Sequence, residues 1–130
     1  MPLSSYQQPF FFAALILGLS LPCEAAQITG LETPNSFIGD ASGKEYFISN
    51  VNGEPEARDN NGFITKLNTE GKIINLKFIQ GGVSEISLHA PKGMALVGAM
   101  LYVADLDQLK GFDKTTGKLL ITVSFSPPSR

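Results

Sequence analysis

From residue 33 onward the apolar side chains come in short runs separated by clusters of Gly, Asn, Asp and Pro, and no stretch after Gln27 holds a helical spacing for long. That punctuation predicts many short strands. The runs also repeat. Pro34-Asn35-Ser36-Phe37 opens one series and Pro91-Lys92-Gly93-Met94 opens another. Each passes through a turn into a compact strand with a polar end, Tyr46-Phe47-Ile48-Ser49-Asn50 and Leu101-Tyr102-Val103-Ala104-Asp105. A third strand follows, Gly62-Phe63-Ile64-Thr65-Lys66-Leu67 against Leu109-Lys110-Gly111-Phe112-Asp113. The turns Asn68-Thr69-Glu70-Gly71-Lys72 and Lys114-Thr115-Thr116-Gly117-Lys118 then lead to a fourth strand in each.

Four strands per unit, recurring at roughly 40 to 50 residues, is the spacing of propeller blades. Two unrelated β-meanders in a small sandwich would use the same strands. Adjacent apolar residues in the second strands suit burial on both faces. The units differ in two ways. The first carries an extra loop, Gly53 to Asn61. The fourth strands are out of phase: Ile74, Leu76 and Phe78 alternate in one, Leu119, Ile121, Val123 and Phe125 in the other. A one-residue slip exchanges the faces of a strand, so either a bulge is expected there or the second fourth strand has drifted from the repeat.

The front of the chain has a different character. Residues 1 to 43 contain no Lys or Arg, and Phe10 to Leu21 is apolar apart from Ser20. A membrane-spanning helix needs about 20 apolar residues, so this run fits the core of an export signal, with Pro22 as a breaker and small residues after it. Cleavage is expected after Ala25, with Ala26 as the second choice, although the first nine residues lack the usual basic side chain. The alternatives are an uncleaved anchor and a lipoprotein acylated at Cys23. Cleavage would remove Cys23, the only cysteine, so the mature chain would have neither disulfide nor thiolate. It would then be extracytoplasmic, periplasmic or secreted, with no stable membrane span. The net charge of −2 without a basic cluster argues against a nucleic-acid partner.

Three pieces carry a resemblance to a known family: Tyr46 to Asn50, Asn61 to Leu67 with its Glu70-Gly71-Lys72 turn, and Ala90 to Ala95 running into Leu101 to Asp105. They resemble the gluconolactonase, regucalcin and luciferin-regenerating-enzyme superfamily of six-bladed β-propellers, its exported members especially. The resemblance implies an all-β fold in which residues 33–79 and 91–125 are two four-stranded blades. Residues 1–25 are then a helical signal peptide, 26–32 a mature N-terminal segment, 80–90 an inter-blade linker and 126–130 a tail. Two blades are too few to close a propeller, so a truncated copy is expected. Its lateral faces would need a homo-oligomer or the remaining blades to cover them, because no capping element is visible.

The resemblance further implies a metal-dependent lactone hydrolase, with calcium held at the top of the central channel by Glu, Asn and Asp from the starts of innermost strands. One ligand comes from a Glu-Gly-Pro-like motif and one from Pro-Asp-Gly. Here Asn35 falls where the Glu is expected, and Lys92 stands where the Asp would be. An amide oxygen can bind a hard cation but brings no charge, and an ammonium repels one.

Three functions follow as expectations. The first is a ligand- or partner-binding scaffold without catalysis of its own. The others are a metal-dependent sugar-lactone hydrolase and a non-functional truncated copy. Lys92 is the candidate for holding a small, anionic ligand, or else is an exposed strand lysine. Asp105 and Asp107, two apart and therefore expected on one face, are candidate metal or acid–base residues, or else acceptors for turn amides. The loop from Glu54 to Gly62 has a passing likeness to a calcium loop. Twelve positions from Asp59 land on Glu70, beyond a strand, so it reads as an extended hairpin loop. His89, the only histidine, reads as a solvated loop residue.

Overall fold

The computed structural model of the chain describes residues 25–125. The expected signal core at Phe10–Leu21, Cys23 and the tail lie outside them. Among the described residues there is no helix, and therefore none long and apolar enough to cross a membrane.

The strands are β1 (Pro34–Asp40), β2 (Glu45–Asn50), β3 (Phe63–Asn68), β4 (Ile73–Gln80), β5 (Pro91–Val97), β6 (Met100–Asp105), β7 (Gln108–Asp113) and β8 (Leu119–Ser124). They form two four-stranded antiparallel meanders, β1-β2-β3-β4 and β5-β6-β7-β8. The turn after the third strand is built alike in both. Asn68 Oδ1 accepts the amides of Glu70 and Lys72, and Asp113 Oδ1 accepts those of Thr115 and Thr116. Gly71 and Gly117 follow at φ +81° and +75°, a conformation that strains any side chain with a Cβ.

Register makes the two sheets superimposable by position. Asn50 pairs with Phe63 and Asp105 with Gln108, so Asn50 corresponds to Asp105, Ser49 to Ala104 and Thr65 to Lys110. Both first strands are bulged near their start. In β1 two residues, Pro34 to Ser36, span one step of β2, and in β5 three residues, Pro91 to Met94, span two steps of β6. The phase difference between the fourth strands also resides in bulges: β4 shifts register between Ile64 and Lys66 and again before Leu67, and β8 only between Gly111 and Phe112.

The sheets stack face to face. Phe47, Ile64 and Ile79 of the first meet Leu101, Val103 and Phe112 of the second and Leu88 of the linker in one cluster, each at most 1 % exposed. Burying each such side chain contributes about 1.5–3 kcal/mol. Asp40 Oδ2 meets Lys114 Nζ at 2.6 Å across the lower edge. In β2, Phe47 to Asn50 are all buried, as burial on both faces requires, whereas β6 alternates buried and half-buried residues because the described residues cover only one of its faces.

One expectation needs correction. The outer face of the first sheet is not bare, because residues 25–33 run along it. The Val51 and Asn52 amides donate to the Thr33 and Glu32 carbonyls, and the Glu32 amide donates to Asn50 Oδ1. Gly30 sits so close to Leu76 that a Cβ there would lie 3.1 Å from Cδ2. Beneath this cover Phe63 and Leu67 are buried, while Phe37 stays 60 % exposed.

Candidate functional site at the paired bulges

Asn35 and Lys92 occupy the same place in their sheets, inside the bulges at the starts of β1 and β5. Asn35 is exposed and Lys92 half-buried, and among the described residues Lys92 makes no ion pair. Ser49 ties the two bulges together: its Oγ accepts the Ser36 amide at 3.0 Å and donates to the Lys92 carbonyl at 2.7 Å. At the same edge Gly62 passes beneath Pro91, where a Cβ would come within 2.3 Å of the ring. A bulge leaves a residue out of the ladder and re-aims its side chain. The edge therefore presents one amide and one ammonium on backbones locked to each other.

Behind it lies a pair of buried polar contacts. In the first sheet Asn50 Nδ2 donates to Thr65 Oγ1 at 3.1 Å while its Oδ1 holds the Glu32 amide. In the second, Asp105 Oδ2 accepts Lys110 Nζ at 2.9 Å and the His89 amide at 3.0 Å, and its Oδ1 accepts the Ala90 amide at 2.8 Å. Lys110, 1 % exposed, also donates to the Ser87 carbonyl. Burial alone would raise the Asp105 carboxyl. The His89 and Ala90 amides and the Lys110 ammonium outweigh it and hold the group below the usual carboxylate range.

Asp105 and Asp107 do not share a strand face. β6 ends at Asp105, and Leu106, at φ +51°, begins a two-residue turn that carries Asp107 outward. There Asp107 meets Arg58 at 2.9 Å, both side chains being more than half exposed. That hydrogen bond is the main cause of the lowered Asp107 carboxyl. The amides that Asp105 accepts belong to the linker before β5, not to its own turn.

His89 is likewise more than a solvated residue. Its Nδ1 accepts the Asn60 amide at 3.0 Å, which places the proton of the neutral ring on Nε2, 3.2 Å from Ser87 Oγ. With Asn60 Oδ1 accepting the Leu88 amide and the Gly62 amide donating to the Leu88 carbonyl, the foot of the long loop is fixed to the linker between the sheets.

The residues at this edge do not fit the calcium that the family resemblance implies. Asn35 is uncharged, Lys92 is cationic, Asp105 has both oxygens engaged by three donors, and Asp107 faces Arg58. Among the described residues no cluster of three or more His, Cys, Asp and Glu is placed to hold a metal ion.

Lys110 was not legible as part of this arrangement, since a lysine in a strand reads as solvated. Its signal lay in the repeat: Asn50 and Thr65 recur as Asp105 and Lys110, so one neutral buried pair has become a charged one. No family model, curated protein or solved structure matches the chain.

Proposed function

We propose that the chain is an exported propeller-like β-repeat protein that binds a small anionic ligand at the Asn35–Lys92 edge and performs no catalysis of its own. The observation that supports this reading is the equivalence of the two bulges: the positions where the resemblance implies acidic metal ligands carry an amide and, in Lys92, an ammonium without an ion pair among the described residues. An ammonium at a half-buried position is only partly hydrated and so favours a carboxylate over a cation. A sugar acid is the ligand class that joins this charge to the resemblance.

The test is titration calorimetry with gluconate, in chelator and in calcium, alongside sugar-lactone hydrolysis. Saturable binding that is indifferent to calcium and lost in Lys92→Met is expected, together with lactone turnover at the uncatalysed rate. Absence of saturable binding by the unmodified chain refutes the ligand edge. Calcium-dependent lactone hydrolysis refutes the non-catalytic reading.

A further inference from the structure

The two sheets stack in the same sense, so the molecule ends in one face of each kind that its internal interface joins. Inside, the first sheet offers the face bearing Phe47, Ser49 and Ile64. It packs on the second sheet's face bearing Met94, Leu101 and Val103. By register, Tyr102, Ala104 and Leu109 are the second sheet's counterparts of Phe47, Ser49 and Ile64, and they lie on the face that no other described residues cover. Phe37, Tyr46 and Ile48 are the first sheet's counterparts of Met94, Leu101 and Val103, and they lie on its outer face.

We infer that the uncovered face of the second sheet is a docking surface for the outer face of the first sheet in a second copy of this chain. Copies would thus associate head to tail through a repeat of the internal interface. Three observations favour this occupant. The uncovered face is apolar where it is most open, with Ile121 44 % and Val123 42 % exposed beside the half-buried Tyr102 and Leu109. The receiving face offers Phe37 at 60 %, stacked on Tyr46 with ring centroids 5.0 Å apart, and a shallow pocket lined by Leu31, Pro34, Asn35, Ser36, Phe37 and Ile48. That pocket is the counterpart of the seat in which Leu88, Pro91 and Lys92 receive Ser49 and Gly62 within the chain.

The charges differ in a way that suits separate chains. Inside, Asp40 is paired with Lys114. Their counterparts at the free faces are Val97 and Thr69, so no ion pair is needed at this edge and no charge is buried there. Asp107 stands where Gly62 makes its close approach to Pro91, so at that corner two copies would sit further apart than the two sheets do within the chain. Because the contact joins two different faces, it propagates to a ring or an open chain, whereas a two-fold dimer would join like faces.

The test uses the full chain with Cys23→Ser as background. In the internal template Ser49 touches Lys92, so Ala104→Cys on one copy should react with Asn35→Cys on the next through a short bis-maleimide. The double variant should give a ladder of dimers and higher species, and each single variant none. Val123→Glu lies at an exposed position, so its circular dichroism should match the unmodified protein's while the ladder is abolished. Sedimentation velocity should show concentration-dependent association of the unmodified protein, lost in Val123→Glu. Cross-linking of Ala104→Cys alone would indicate like-face pairing, and a monomer at all concentrations up to about 100 µM, well above typical dissociation constants for specific interfaces, would indicate no association. Either result overturns the inference, whereas the gluconate reading is overturned only by its own titration.

Discussion

Replacing the buried charged pair of the second sheet with the neutral pair of the first tests whether the repeat is physical as well as topological. In Asp105→Asn alone, Lys110 keeps its charge at 1 % exposure with the Ser87 carbonyl and at most one amide oxygen as acceptors, and it loses its only carboxylate partner. The new NH2 would either replace Oδ2 and face both that ammonium and the His89 amide, or replace Oδ1 and face the Ala90 amide, donor against donor in each case. Breaking a buried pair from one side costs about 3–5 kcal/mol. Lys110→Thr alone leaves a carboxylate with its two amide donors but no counter-charge, frees the Ser87 carbonyl and opens a void where the lysine stem lay, for a similar cost. The double variant removes both ions. It re-creates the arrangement in which Asn50 donates to Thr65 Oγ1 and accepts a preceding amide. What remains is the void and one or two unmet polar groups, at about 1–3 kcal/mol each.

The singles therefore sum to about 6–10 kcal/mol, and the double should cost no more than either alone, a coupling of at least about 3 kcal/mol. Urea unfolding at 25 °C, with an excluded osmolyte if the singles are too weak to fold, measures all four corners of the cycle. Additivity within about 0.5 kcal/mol would refute the reasoning. It would mean that Asp105 and Lys110 are held independently and that the positional match with Asn50 and Thr65 is incidental.

Three further outcomes are expected. The hydrogen bond from Lys114 is the chief cause that holds the Asp40 carboxyl well below its ordinary value, with Ser42 assisting against the cost of burial. This contribution is fully present above the unfolded value near 4 and is lost as pH falls toward the folded one. The stability difference between wild type and Asp40→Asn should accordingly shrink between about pH 5 and pH 2, and a pH-independent difference counts against the pair. Gly62→Ala should lower stability by about 1–3 kcal/mol by wedging the sheets apart at Pro91. Gly93→Ala, which meets nothing within 4 Å, should be neutral or stabilising by up to about 1 kcal/mol; equal melting temperatures would sink the close-approach argument. N-terminal sequencing of protein from the extracytoplasmic fraction should begin at Ala26 or Gln27, and recovery of the Met1 form from the cytosol alone would contradict export.

The strands were legible because each is short, apolar and bounded by turn residues with a conformational reason to be there. The turns at Gly71 and Gly117 were readable for the same reason, with Asn68 and Asp113 as their local acceptors. What could not be read was long-range. That Asp105 would accept amides from the linker, that Lys110 would be buried beside it, and that His89 would hold the Asn60 amide all depend on how the linker crosses between the sheets. No local pattern encodes that crossing. The paired carboxylates Asp105 and Asp107 were misread for a related reason. Alternation assigns both to one face only while the strand continues, and a left-handed Leu106 ends it.

The same divergence explains why the two units are not interchangeable. The first sheet faces the second with Asp40, Glu45 and Lys66 near its lower edge, and these are met by Lys114 Nζ and the Lys114 carbonyl, or by each other. The corresponding positions on the second sheet's free face are Val97, Met100 and Gly111, all uncharged. An internal junction can carry ion pairs, because its partners are tethered and always present. A junction that must form between separate molecules would leave such charges stranded whenever it opened and desolvate them each time it closed. With Val, Met and Gly in their place, the proposed contact between copies would close without that cost. It also leaves the apolar stripe of β8 without any charge to discourage a wrong partner, so specificity would have to come from the fit of Phe37 and the pocket beside it.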